Sequence, residues 1–191
     1  MQFGREYYAP IVNTDGRCGP AGVEMIKHSI RRAAVGDAAV IARHRVCMFR
    51  EMGLVPTDRL AAELLETSTA ALGALLHERC YIGWLAVAEN DRVLAGAGVH
   101  IQSQLPRISH DGIAVTTAPV PLLVNVYTEP DVRGVGIARA LMNAVLEWAG
   151  AQGCDRVALH ASDAGRPLYH SLGFVPTNEM RWSPTSADRE V

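Results

Sequence analysis

The stretch that most constrains the fold is "VPLLVNVYTEPDVRGVGIARALMNAVLEWAG", residues 120–150. Its first part, 120–128, is a continuous apolar run, the pattern of a strand buried on both faces at the centre of a sheet. Its last part reads as a helix over Arg133–Gly150, with Ile137, Leu141, Val145 and Trp148 on one face. Between them, Gly134 and Gly136 let the chain pass close to another molecule with no Cβ in the way. A helix start carries unpaired N–H groups and partial positive charge, which suits a phosphate or pyrophosphate. Arg133 and Arg139 add charge nearby. Plain chain reversal uses the same glycines, so this stretch taken alone leaves both readings open.

The elements around it follow from periodicity. "MIKHSIRRA" alternates as a first strand from Met25. Asp37 opens a helix in which Val40, Ile41, His44, Cys47 and Met48 recur at helical spacing, and Gly53 stops it. Thr57 is the expected N-cap of a second helix reaching about Glu78, with Leu60, Leu64, Ala71, Leu72 and Leu75 as its apolar stripe. "WLAVAENDRVLAGAGVHI" reads as an antiparallel hairpin turning at Glu89-Asn90-Asp91. Residues 102–119 have no period and form either a functional loop or an extended hairpin end. A strand over Asp155–His160, a short helix over Gly165–Leu172 and two short extended pieces in "GFVPTNEMRW" complete the order β-α-α-β-β-β-α-β-α-β. Residues 1–24 read as an irregular extension, and 25–191 as one domain.

Composition narrows the function classes. The chain has 191 residues, enough for one well-cored domain, and a net charge of −2 with scattered arginines, so no nucleic-acid footprint is expected. Cys18, Cys47, Cys80 and Cys154 form no CxxC pair; neither a zinc site nor disulfides are expected, and buried free thiols in a reducing cytoplasm are the simpler reading. No segment has the length and apolarity of a signal peptide or a membrane span, so a cytoplasmic protein is expected.

Two phosphate-binding patterns can be tested directly. A P-loop ends in Gly-Lys-Ser/Thr, whereas Ala138-Arg139 stands here. A dinucleotide fingerprint fits the glycines through Ala140, with Asp155 near the right distance, yet the turn falls after a hairpin and not after a first strand.

The segment "NVYTEPDVRGVGIARALMNAVLEWA" followed by "GCDRVALHASDAGRPLYHSLGFVPTNEMRW" resembles the Gcn5-related N-acetyltransferase (GNAT) superfamily. The family's pyrophosphate-loop pattern is met by Arg133, Gly136 and Ala138, and its second mark by "LYHSLGF", Leu168–Phe174. The resemblance implies an α/β (α+β) fold: a mixed, mostly antiparallel twisted sheet with helices on both faces, whose splayed central strands bind acyl-CoA. It implies that main-chain groups of Val126, Tyr127 and Thr128 pair with the pantetheine of acetyl-CoA. Amides of Gly134, Val135, Gly136, Ile137, Ala138 and Arg139, with Arg133, would wrap the diphosphate.

The implied reaction moves an acetyl group from acetyl-CoA to a primary amine of a small molecule, by direct attack through a tetrahedral intermediate. Tyr169 matches the family's general acid at the leaving sulfur, and the Tyr127 N–H would meet the thioester oxygen. Ser162 stands where many members have an Asn bonded to the pantetheine and would meet the cofactor there with a shorter reach, and Arg166 either meets CoA phosphates or faces water. Some members that act on protein N-termini carry a glutamate where this chain has Val157. Without it, Glu51, His100, His110, Asp111 and Asn125 are the candidates for base or polar positioner. Arg45, Arg50 and Glu51 either meet the acceptor or line a solvated helix face. No metal is implied, and a homodimer is an expectation by analogy. A non-catalytic acyl-CoA sensor and a protein or peptide acetyltransferase are the alternatives.

Overall fold

In the computed structural model, which describes residues 6–10 and 25–182, the chain divides into two compact units, Met1–His160 and Ala161–Val191. The first unit holds a six-stranded sheet in the order β1-β2-β3-β4-β7-β8. Its strands are β1 (Glu6–Pro10), β2 (Met25–Arg32), β3 (Tyr81–Ala88), β4 (Val93–His100), β7 (Leu122–Thr128) and β8 (Ala158–Leu159). All pairs are antiparallel except β7 with β8. A separate two-stranded hairpin, β5 (Arg107–Ile108) and β6 (Val115–Thr116), lies within residues 102–119. The mixed, mostly antiparallel sheet is the fold class expected.

Helix α1 (Ala38–Glu51) and helix α2 (Asp58–His77) cover one face of the sheet. Ala38, Ile41 and Ala42 of α1 and Leu72 of α2 pack with Tyr81, Leu85 and Val87 of β3 in one core cluster. The Thr57 side chain accepts the Leu60 N–H at 3.3 Å, so the expected N-cap is present. The buried line of α2 is Ala61, Ser68 and Leu72, with Leu60 and Ala71 turned outward. Leucines lie all round this helix, and the 100° step along 61, 64, 68, 72 and 75 selects the face that meets the sheet. Helix α3 (Ile137–Ala151) covers the other face through Ile137, Leu141, Met142, Val145 and Ala149. Trp84 meets Trp148 edge-on at 5.5 Å, and the Arg32 guanidinium lies 4.2 Å from the Trp84 ring. Each fully buried aliphatic side chain here contributes about 2 kcal/mol.

Several boundaries differ from the sequence reading. Residues 6–10, inside the segment read as irregular, pair with β2; the rest of 1–24 lies outside the described residues. Helix α3 begins at Ile137 and not at Arg133, because Pro130–Val132 form a 3-10 turn and Gly134 and Gly136 are left-handed. β8 is only two residues long. In the second unit α4 (Arg166–Ser171) is present, but residues 173–182 form no strand. Cys47, Cys80 and Cys154 are free and half-buried, where full burial was expected; Cys18 lies outside the described residues.

Candidate active site

The site is built on the end of β7. β8 pairs only with Leu122 and Leu123, so residues 124–128 have β4 on one side and no strand of this sheet on the other. The splay leaves the outer edge of β7 open along residues 124–128. It is sharpened by a bulge: Gly96 pairs with Tyr127 and Gly98 with Val124, leaving Asn125 in a left-handed conformation at φ 56°. Asn125 is nonetheless buried and polar. Its amide oxygen accepts from Arg45 at 2.7 Å and its amide nitrogen donates to the Tyr81 hydroxyl at 3.4 Å. Burial pushes the Tyr81 phenol up to about 12, so it stays protonated. Asn125 is thereby a structural tie of the bulge.

Beyond Thr128 the chain turns through Gly134 and Gly136 into α3. Val132, Val135 and Ile137 are buried, anchoring the turn, while the two glycines between them are exposed at φ 78° and 89°. A Cβ at either glycine would meet nothing of the protein within 4 Å. Glycine is required there by backbone conformation, and the space above it is open. The helical ladder of α3 opens with the Ala140 N–H donating to the Gly136 carbonyl at 3.0 Å, so the amides before Ala140 precede the helix's own carbonyls. Alternating backbone of this kind gathers N–H groups into an anion-binding concavity.

Glu51, the last residue of α1, comes to the same strand end. It accepts from Arg133 at 2.7 and 3.0 Å and from the Tyr127 hydroxyl at 3.2 Å. Arg133 also donates to the Thr128 carbonyl at 2.9 Å, so its guanidinium faces Glu51 and β7. Burial, with Cys47 and Glu51 close by, pushes the Tyr127 phenol up to about 12. His44, two turns before Glu51 on α1, packs against Tyr127 with the rings tilted and their centroids 5.1 Å apart, and lies 3.2 Å from Glu129. Burial, helped by Arg43, holds its imidazole below the usual value against the pull of Glu129, so His44 is neutral near pH 7.

The other candidate bases are elsewhere. His100 pairs with Leu122, at the opposite end of β7. Asp111 is tied to Ser109 and the Ile113 N–H within the hairpin, and the His110 N–H donates to Asp155. Asp155 forms a two-pronged pair with Arg107, both bonds 2.7 Å. That pair, and the antiparallel sheet before the turn, set aside the dinucleotide reading. Sequence reasoning missed the Tyr127 side chain, His44 and Glu129; the seven-residue spacing of His44 and Glu51 on one helical face was the signal available.

In the second unit, Gly173 at φ 89° ends α4, and the Phe174 N–H returns to the Tyr169 carbonyl at 3.0 Å. Phe174 then packs edge-on against Tyr169 at 5.8 Å, which explains the "LYHSLGF" pattern physically. Gly165 is crowded: a Cβ there would lie 2.8 Å from the Tyr169 ring. Burial raises the Tyr169 phenol above its ordinary value, leaving a hydroxyl able to donate. The Ser162 hydroxyl accepts the Gly165 N–H at 3.3 Å, and exposed Arg166 pairs with Asp163 at 3.2 Å.

The profile of the acetyltransferase (GNAT) family matches residues 49–174. The chain is 32% identical to aminoglycoside N(6')-acetyltransferase type 1 of Stenotrophomonas maltophilia, over 68% of this chain and 72% of that one. It is 31% identical to glucosamine 6-phosphate N-acetyltransferase of Trypanosoma brucei brucei over 44% of this chain, spanning only about half (51%) of that relative. Among solved structures, a GCN5-related N-acetyltransferase from Ralstonia eutropha JMP134 superposes with a TM-score of 0.71 at 31% identity, covering 83% of this chain and 99% of that one. A predicted acetyltransferase from Clostridium acetobutylicum, solved with acetyl-CoA, shares the fold at a TM-score of 0.70 and 24% identity, covering 86% and 99%. The mixed, mostly antiparallel sheet with its helices is that of an acetyltransferase fold. The chain belongs to the acetyltransferase (GNAT) family.

Among the described residues, no helix is long and apolar enough to cross a membrane, and no group of three His, Cys, Asp or Glu side chains is placed to hold a metal ion.

Proposed function

We propose that residues 25–191 act as an N-acetyltransferase domain that takes acetyl-CoA and acetylates a primary amine of a small molecule, in the cytoplasm. The observation that carries this reading is the pair of exposed left-handed glycines opening α3 beside an unpaired strand end. Two relatives named for acetylating amines on small molecules, and the acetyl-CoA in the Clostridium structure, support the ligand classes.

The coenzyme's thioester would supply the acetyl group. The roles of this chain follow from its own atoms. N–H groups of the turn from Gly134 to Arg139 hold the diphosphate, and main-chain groups of Val126 to Thr128 continue the sheet onto the pantetheine. The Tyr127 N–H steadies developing negative charge on the carbonyl oxygen. Tyr169, proposed from the family pattern and kept protonated by burial, gives its proton to the leaving sulfur. Ser162 accepts from Gly165 within its own turn and gives its hydroxyl proton to the pantetheine, and Arg166 meets phosphate at the surface.

Calorimetric titration with acetyl-CoA, followed by thiol release across a panel of amines, tests the reading. Binding followed by turnover with a small amine supports it. Absence of acetyl-CoA binding overturns it, and binding without turnover favours the sensor alternative. Tyr169→Phe is expected to lower kcat about tenfold or more with acetyl-CoA affinity unchanged; equal turnover removes Tyr169 from the proton-donor role.

A further inference from the structure

Arg133 and Glu51 hold each other where two ligands would want them. They are 82 positions apart, and their side chains are 44% and 45% exposed. An ion pair so open to water is weakly held and readily exchanged. Arg133 immediately precedes Gly134, the first glycine of the turn, and it also takes the Thr128 carbonyl on the open edge of β7. The neighbouring acids are committed elsewhere: Glu129 to Arg43 at 2.6 Å and to His44, and Asp131 to Arg92 through two bonds of 2.7 and 2.8 Å. Of these three carboxylates, Glu51 is the one whose cationic partner adjoins the turn.

Resting on the acetyl-CoA reading, we propose that Arg133 and Glu51 form a counter-ion exchange. The coenzyme's diphosphate takes Arg133, and the released Glu51 carboxylate takes an ammonium group of the acceptor, so each ligand strengthens the other's binding. The exchange also clears the Thr128 carbonyl for the pantetheine. The attacking amine must be neutral to react, so the ammonium held by Glu51 is a second one. This defines the acceptor class as a small molecule with more than one amino group, a polyamine or an amino sugar. Tyr127, whose hydroxyl already donates to Glu51, keeps the carboxylate oriented after Arg133 leaves.

The test uses coenzyme A, which lacks the acetyl group and allows no turnover, with spermidine and kanamycin as probes. Wild-type protein is expected to bind at least one probe about 5- to 20-fold more tightly with saturating coenzyme A than without it. Glu51→Gln keeps the hydrogen bond to Tyr127 but not the charge. It is expected to bind coenzyme A no more weakly than wild type, to bind the probe about tenfold more weakly, and to lose the coupling. Arg133→Gln is expected to weaken coenzyme A and also to lose the coupling, with probe affinity in the absence of coenzyme raised toward that of the coenzyme-saturated wild type, because Glu51 is already released. A purely structural role for the pair would move melting temperature and leave the coupling intact; should Glu51→Gln fail to fold, the Arg133→Gln coupling decides. Wild-type protein without coupling, coupling that persists in the folded variants, or binding of coenzyme A with neither probe bound overturns the exchange and leaves the acetyl-CoA reading standing. Failure of wild type to bind coenzyme A sinks that reading itself.

Discussion

Two glycine pairs of identical spacing, Gly96-Ala97-Gly98 in β4 and Gly134-Val135-Gly136 before α3, are glycine for opposite reasons. At Gly98 a Cβ would overlap the hydroxyl of buried Tyr81, and at Gly96 it would press on Leu85 at 3.2 Å and His44 at 3.3 Å. At Gly134 and Gly136 there is open space, and φ is positive. The first pair makes room for the protein's own side chains beneath α1. The second leaves room for something that is not part of the protein. A G-x-G read from sequence therefore says nothing by itself about ligands; whether the missing Cβ would collide with the chain or with solvent is what separates a packing glycine from a binding one.

Substitutions at both pairs can break this contrast. Gly98→Ala is expected to have the largest effect, about 3 kcal/mol of lost stability in denaturant titration, because Tyr81 cannot move without abandoning Asn125. Gly136→Glu is expected to weaken acetyl-CoA by about 100-fold in calorimetry, roughly 2.7 kcal/mol, with a smaller change in melting temperature. A Gly98→Ala protein as stable as wild type, or a Gly136→Glu protein that binds as before, would erase the distinction. Tyr81→Phe sharpens it at about 1 kcal/mol of destabilisation, since the Asn125 amide loses one long hydrogen bond.

The smallest effect is on pH dependence. His44 is buried against Gly96 with its imidazole held below the usual value, so the unfolded chain takes up a proton before the folded one. Stability from this residue is therefore full above the ordinary histidine value of about 6.5 and declines as pH falls below it toward the folded-state value. His44→Leu is expected to flatten that limb of a stability–pH curve; an unchanged slope would remove His44 as its source.

What could be read from sequence was local. The strand over 120–128, the hairpin turning at Glu89–Asp91 and the N-cap at Thr57 each declare themselves through period or turn chemistry within a few residues. The turn at Gly134 and Gly136 was equally visible, although the start of α3 was not, because positive φ delays the helix in a way that apolar spacing does not register. The line of α2 was misplaced because its leucines surround the helix, and only the sheet decides which of them face inward. β1 was missed since a five-residue edge strand such as "EYYAP" gains its identity from pairing with β2. The ion pairs Glu51–Arg133 and Arg107–Asp155 join positions 82 and 48 apart. Such partnerships follow from topology, and no short window contains them. The bulge at Asn125 belongs to the same class, being a mismatch between two strands.

The brevity of β8 has a consequence for how the amides behave in heavy water. Between Val124 and Thr128, peptide hydrogens that point away from β4 sit near the middle of the fold yet lack the interstrand bond that shields their neighbours. They should trade for deuterium at loop-like speed while the adjoining amides of β4 stay dark for far longer. A molecule that slots into this notch as a surrogate sixth rung would silence them selectively, giving a residue-resolved footprint of occupancy that needs no turnover.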